Sequence, residues 1–274
     1  MYELKYVKKR KTKMWVAISG GIATVVVSTF AIVSFLGRYV GTFTVSLDTG
    51  KVDLALSDSS SFKRKESYLR VDSLPSFHEY TYSLLPSDDI LDSEENGYLY
   101  GAYTEEGKTT LNYFKYTFFV RNVGRVAAHY SVRIKMNDNK AGEDGRTLDD
   151  TLRTLFYETN LQTNVRNRVV YAKKAEVHHL DENGNPNFQE PISMSEEEAA
   201  IYGEDFSKYG YAEMFESNNV VTTWKPEDSI APGETRRYTI VNWLEGYDLQ
   251  SNNFSAPPKG ARLKIGVEIN AYES

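Results

Sequence analysis

The sequence predicts a mainly β chain, an antiparallel β-sandwich with short helical insertions, behind one N-terminal transmembrane helix. Three features carry that expectation. An uncharged stretch runs from Met14 to Gly37. Several later segments alternate apolar and polar residues with a period of two, as half-buried strands do. Finally, the 274 residues include no cysteine, so an exported part is held by packing and not by disulfides.

The first element is the uncharged stretch MWVAISGGIATVVVSTFAIVSFLG. At about 1.5 Å per residue it covers the roughly 30 Å hydrocarbon core of a bilayer. Lys8, Lys9, Arg10, Lys11 and Lys13 precede it and only Arg38 follows closely. Basic residues stay on the cytoplasmic side, so the expectation is a single-pass cell-membrane protein, N-terminus inside and C-terminal part extracellular. The domain plan is a cytoplasmic basic segment at 1–13, a signal-anchor at 14–37 and an extracellular β-sandwich at 38–274. A cleaved signal peptide is the competing reading, with a shorter apolar region of about 7–15 residues and a small-residue cleavage site. Ser34-Phe35-Leu36-Gly37-Arg38-Tyr39 lacks that small-x-small pair. The overall charge of -6 conceals this division: residues 1–40 hold seven basic residues and one acid, the remainder 25 basic and 37 acidic.

Beyond the span, Thr42–Leu47 and Lys51–Leu56 predict two short strands around Asp48-Thr49-Gly50. Asp88–Gly107, rich in acid and glycine, reads as an exposed loop. In Leu111–Asn122, Phe114, Tyr116, Phe118 and Val120 share one face; Lys115, Thr117 and Arg121 share the other. In Ala128–Met136, Tyr130, Val132, Ile134 and Met136 point one way. Val123-Gly124-Arg125-Val126 separates these two strands and predicts antiparallel neighbours. Thr147 with Asp150 reads as a helix start before Leu152–Tyr157. Arg168–Lys173 and Glu176–Leu180 are further strand segments, leading into Asp181-Glu182-Asn183-Gly184-Asn185, where Asn-Gly favours a tight hairpin. Ser195 with Glu198 makes a capping box for a short acidic helix through Ile201. Ala231-Pro232-Gly233-Glu234 is a turn that launches Thr235–Leu244, with proline setting φ and glycine free to take positive values. In the last strand Leu263, Ile265, Val267 and Ile269 alternate with charged and polar residues, which fixes its register.

Little in this chain points to catalysis. Without cysteine there is no thiolate metal site and no thiol nucleophile. Of His78, His129, His178 and His179, the last two are adjacent and on a strand would point to opposite faces. No His-Glu-x-x-His helix, phosphate loop or Gly-x-Ser-x-Gly elbow occurs. Asp181, Asn183 and Asn185 have the beginning of a calcium loop, but Pro186 and Ile192 stand where glycine and a bidentate glutamate are needed. The acidic Asn137–Gly145 segment reads as a solvated loop. The expectation is therefore no catalytic residue, no metal site and no cofactor. An acidic C-terminal part repels phosphates, so nucleic acid is not an expected partner. Tyrosine is abundant, with 20 residues. Tyr98, Tyr100 and Tyr103 lie in acidic, loop-like surroundings, either as recognition aromatics or as local packing.

The framework motifs resemble a known family. Phe43 followed by Gly50-Lys51-Val52-Asp53-Leu54 is similar to the first strand pair of TasA/camelysin-type surface proteins of Gram-positive-type bacteria. Phe118-Phe119-Val120-Arg121-Asn122-Val123-Gly124 with Ala127 resembles their Phe-x-Asn-x-Gly-x-x-x-Ala strand and turn. Ile230–Glu234, Tyr238-Thr239-Ile240 and Trp243-Leu244-Glu245-Gly246 resemble a third segment of such proteins. The likeness covers about half of the chain. It implies a jelly-roll-like sandwich and, in fibre-forming members, donation of an N-terminal strand to the next subunit. The matching donor segment here is Gly41, Thr42, Phe43, Thr44, Val45, Ser46 and Leu47.

The expected function is a membrane-anchored, surface-exposed, non-enzymatic protein with a structural, adhesive or biofilm-matrix role. Its expected partners are the membrane, other copies of itself, or cell-envelope components. The alternatives are an exported metal-dependent peptidase of camelysin type, and a glycan-binding module using the loop tyrosines.

Overall fold

The computed structural model describes residues 41–48, 53–71, 80–81, 86–99, 104–105, 108–109, 113–173, 179–180, 186–187, 196, 199–200, 210–246, 248, 251 and 256–272. The expected span Met14–Gly37 and the basic segment before it lie outside these. Among the described residues no helix is long and apolar enough to cross a membrane. Gly41–Ser274 forms a compact unit of its own.

That unit is mainly β. Its elements are β1 (Gly41–Asp48), β2 (Leu54–Ser57), β3 (Tyr68–Val71), α1 (Asp88–Asp92), β4 (Gly97–Leu99), β5 (Thr104–Glu105), β6 (Lys108–Thr109), β7 (Tyr113–Asn122), β8 (His129–Lys140), β9 (Leu152–Asn160), β10 (Arg166–Ala172), β11 (His179–Leu180), β12 (Pro186–Asn187), β13 (Glu213–Met214), β14 (Val220–Trp224), β15 (Thr235–Leu244) and β16 (Arg262–Tyr272). A five-stranded sheet has the order β14-β8-β16-β1-β3, and a larger one β13-β10-β9-β15-β7-β2, with β4 also on β7. Both sheets are mixed, not purely antiparallel: β1 runs parallel to β16, and β13 parallel to β10.

The two sheets face each other over one core. Phe114, Tyr116, Phe118 and Val120 of β7 meet Tyr130, Val132, Ile134 and Met136 of β8 and Leu263, Ile265, Val267 and Ile269 of β16 there. These are the apolar faces that alternation predicts. Yet β7 and β8 are not ladder neighbours; they lie in different sheets. Facing sheets bury two apolar stripes as effectively as a hairpin does, so periodicity alone cannot separate the arrangements. The crossing loop is held by Asn122, whose Nδ2 donates to Val126 O (2.7 Å) and Ile230 O (2.9 Å) while its Oδ1 accepts from Gly124 N (2.9 Å). In the same way Thr42–Leu47 and Lys51–Leu56 contribute strands, β1 and β2, to opposite sheets instead of pairing.

Two expectations fail on the outer face of the larger sheet. Asp88–Gly107 is not simply an exposed loop: it includes α1 and short strands, and Leu91 is fully buried with Tyr113, Leu155, Tyr157, Ala199, Val241 and Trp243 in a second core. Glu196, Ala199 and Ala200 are helical, as the second expected helix requires, although Ser195 and Glu198 lie outside the described residues. Asp92 accepts from Arg166 Nη2 (2.7 Å) and Tyr157 OH (3.1 Å), and is paired with Arg237, so the acids of α1 dock it on the sheet. The segment Leu152–Tyr157 is strand, not helix. Thr147 does reach Asp150 (3.2 Å), but in a turn that precedes β9. Flanked by β10 and β15, with Leu152 and Phe156 facing one core and Leu155 and Tyr157 the other, β9 has no polar face to betray its period.

The covering layer also encloses a lysine. Lys115 is fully buried on β7 and donates to Ser93 O (2.6 Å) and Glu95 O (2.9 Å). Burial, aided by the neighbouring Arg237, pulls its pKa down to about 8. The unfolded chain then binds more protons than the folded one between about pH 8 and the ordinary lysine value, so this group makes stability rise with pH there. The expected result is a difference in melting temperature, parent minus Lys115→Met, that grows between pH 8 and 10.

The predicted turn forms as expected. Glu234 N donates to Ala231 O (2.9 Å) and Gly233 adopts φ 82°. Gly233→Ala is expected to cost about 1–2 kcal/mol in chemical denaturation, since a Cβ disfavours the left-handed region. The strand it launches matches Thr235–Leu244 residue for residue. β11 and β12 pair antiparallel on either side of the expected Asn-Gly turn, which itself lies outside the described residues.

Candidate functional site

Where strands end decides where chemistry gathers. Thr235 pairs with Arg121, Arg236 with Asn160, and Arg166 with Thr159, so the β7–β8, β9–β10 and β14–β15 connections meet at one end of the unit. Ala128 bridges Ile230 at that end, and Tyr272 pairs with His129 beside it. Gly41 pairs with Leu263 at the other end, about 26 Å away along eight residues of strand. The chain therefore enters the unit opposite the loop end. Val123, Val126, Leu161 and Val165 are exposed apolar side chains there.

At this loop end the larger sheet and β14 part to leave a cleft of about 210 Å³. Its floor is a buried carboxylate. Glu158 lies on β9 at a core-facing position, two residues beyond Phe156. Its Oε1 accepts from Arg236 Nη1 (3.2 Å) and Tyr238 OH (3.0 Å), and its Oε2 from Trp224 Nε1 (3.1 Å) and Asn167 Nδ2 (2.9 Å). Four donors match the acceptor capacity of a carboxylate, which is what a buried charge needs. Arg236 reaches further, with Nε to Glu234 Oε1 (3.0 Å) and Nη2 to Asp228 O (3.1 Å). Tyr130 OH and Tyr238 OH lie 2.5 Å apart, a hydrogen bond that joins the two sheets.

The electrostatics follow from this packing. Burial pushes the phenols of Tyr130 and Tyr238 well above the ordinary tyrosine value. For Arg236 burial opposes the charge, but the oxygens of Tyr130, Tyr238 and Glu158 outweigh it and raise its pKa. The network is thus a fixed ion pair under two neutral phenols. Above it, Trp224 packs against Phe156 (5.3 Å between ring centres) and lines the cleft with Val165. Asn160, Thr163, Glu227 and Asp228 supply the polar rim, and both rim carboxylates are exposed.

The residues singled out from sequence lie elsewhere. Gly41–Leu47 falls in β1, inside the five-stranded sheet between β16 and β3, with Val45 fully buried. Tyr98 is on β4 opposite Phe114, while Tyr100 and Tyr103 lie outside the described residues. His129 stacks on Tyr272 (6.0 Å), His179 begins β11, and His78 and His178 are outside the described residues. So are Asp181, Asn183 and Asn185. Among the described residues no group of three or more histidine or acidic side chains is placed to hold a metal. Sequence reasoning missed the cleft entirely. Its one local signal is charge at core-facing strand positions, Glu158 and Arg236, which demands a partner.

Comparison with known proteins gave no matching family model, no similar curated protein and no similar solved structure.

Proposed function

We propose that this chain is a membrane-anchored, surface-exposed, non-enzymatic protein whose two-sheet unit serves adhesion, envelope structure or matrix assembly. We read the facing sheets as a jelly-roll-like sandwich of the TasA/camelysin type, on the motif likeness described above. The observation that carries the reading is polarity of layout. The chain enters the unit at Gly41, while the cleft and the exposed valines of the loop end lie at the opposite extremity. The interior charges serve the fold, as in the buried Arg153–Asp248 pair at 2.5 Å. Self-association by donation of Gly41–Leu47 then means exchange of β1, which in one chain is already paired on both sides.

The test is fractionation of native cells with N-terminal sequencing and protease shaving. Full-length protein in the membrane, with residues 41–274 digested from outside, is the expected result. A mature N-terminus near Gly41 in the medium selects the fibre-forming variant of the same reading. A soluble cytoplasmic protein, untouched by external protease, overturns it.

A further inference from the structure

We infer that the cleft at the loop end binds carbohydrate, one uncharged or amino-sugar ring at a time. This rests on the reading above and deepens it by giving the loop end a ligand class. Size comes first: about 210 Å³ is below the roughly 300–1,000 Å³ of clefts that enclose drug-sized ligands, so the occupant is a single ring or side branch. Next comes the division of the walls. A sugar ring has an apolar C–H face and an edge of hydroxyls that both donate and accept. The lining has the same two characters: the Trp224 indole and Val165 are apolar surface, and Thr163, Asn167 and the rim carboxylates are polar. The Asn167 amide, the Thr163 hydroxyl and the rim carboxylates together offer both donors and acceptors, whereas the Asn160 amide is held by Glu234 Oε1 and the backbone N–H groups of Gln162 and Thr163.

Preorganisation supports the assignment. The indole is fixed through Nε1 to Glu158 and backed by Phe156, and Asn167 is fixed through Nδ2 to the same carboxylate. Groups already held in place lose little freedom on binding, which favours weak polar ligands such as sugars. Glu158 itself is saturated by its four donors, so it positions the walls and does not contact the ligand. Charge selects within the class. Three carboxylates, Glu158, Glu227 and Asp228, stand against one guanidinium, Arg236, and this excess repels uronic-acid rings and phosphate-bearing polymers.

The test uses the full-length chain in a zwitterionic, sugar-free detergent, titrated calorimetrically with tetrasaccharides of glucose, N-acetylglucosamine, glucosamine and glucuronic acid. Binding of at least one neutral or amino oligosaccharide, at least tenfold tighter than the glucuronic one, is expected. The E227Q/D228N double variant, altered only at the exposed rim, is expected to bind at least tenfold more weakly at an unchanged melting temperature. Replacing Tyr98, Tyr100 and Tyr103 together by alanine is expected to leave binding unchanged. Absence of binding to all four, equal binding of the glucuronic oligosaccharide, or indifference to the rim substitutions overturns the assignment. Because the purified protein is used, this outcome is independent of where the cell places the chain.

Discussion

Glu158→Ala is expected to destabilise the two-sheet unit by about 3–5 kcal/mol, the cost of breaking a buried ion pair from one side. In a unit of this size that corresponds to a fall in melting temperature of roughly 6–20 °C. The loss is large because four donors are orphaned at once: Arg236, Tyr238, Trp224 and Asn167 all end on this carboxylate. Tyr238 in turn bonds Tyr130 across the sheets, so the damage spreads to the inter-sheet core. Glu158→Gln keeps the shape and some acceptor capacity, and is expected to lose less. The paired change Glu158→Leu with Arg236→Met removes both charges and is expected to cost less than the sum of the two single changes. Thermal or urea unfolding of the four proteins checks this; additivity of the single losses would show that Glu158 and Arg236 do not act as a pair.

Deletion of the chain through Asp48 is expected to leave a unit that does not fold, and addition of the peptide Gly41–Asp48 is expected to restore it. β1 is an interior strand with ladders to β16 and β3 on its two sides. Removing it exposes Leu69, Val267 and Ile269 beside the vacated Val45 position and opens two backbone edges. That loss is on the order of the whole 5–15 kcal/mol that holds a domain together. Circular dichroism and near-ultraviolet signals should recover with peptide in a saturable manner, whereas a peptide carrying Val45→Asp should fail. A truncated chain that melts cooperatively at the parent temperature without peptide would contradict the strand order. The same assay measures directly how readily β1 is exchanged.

The parts of the fold legible in the sequence are those where one strand face meets the core and the other meets solvent. β8 and β16 are of this kind, and their inward residues follow from alternation alone. Legibility fails where both faces are covered. β9 reads as a helix because Leu152, Leu155, Phe156 and Tyr157 are all buried, in two different cores. The acids of residues 88–107 read as solvent-exposed, and Asp88, Asp89, Glu94 and Glu95 are, but Asp92 is half-buried against Arg166 and Arg237, partners far along the chain that no local pattern announces. The cleft is less visible still, since its walls come from β9, β10, β14, β15 and the loops between them. No segment carries more than a few of its groups, and none has a motif spacing. Alternation likewise does not say which strand sits beside which, so the crossing of the chain between sheets after β7 and the parallel placing of β1 emerge only in the structure.

The pairing of β1 with β16 sets a clock on synthesis. The first strand of the unit cannot complete its parallel ladder until the last has been made, and those strands are separated by nearly the whole chain. At about 5–20 residues per second, translation of the interval takes roughly 10–50 s. During that time Gly41–Asp48 has β3 as its partner but not β16. Ladders of such long sequence separation also form slowly, because loop closure must precede the contacts that reward it. A chain that crosses a bilayer as it is made would thus hold an unfinished sheet edge outside the cell for tens of seconds, open to a neighbouring chain in the same condition.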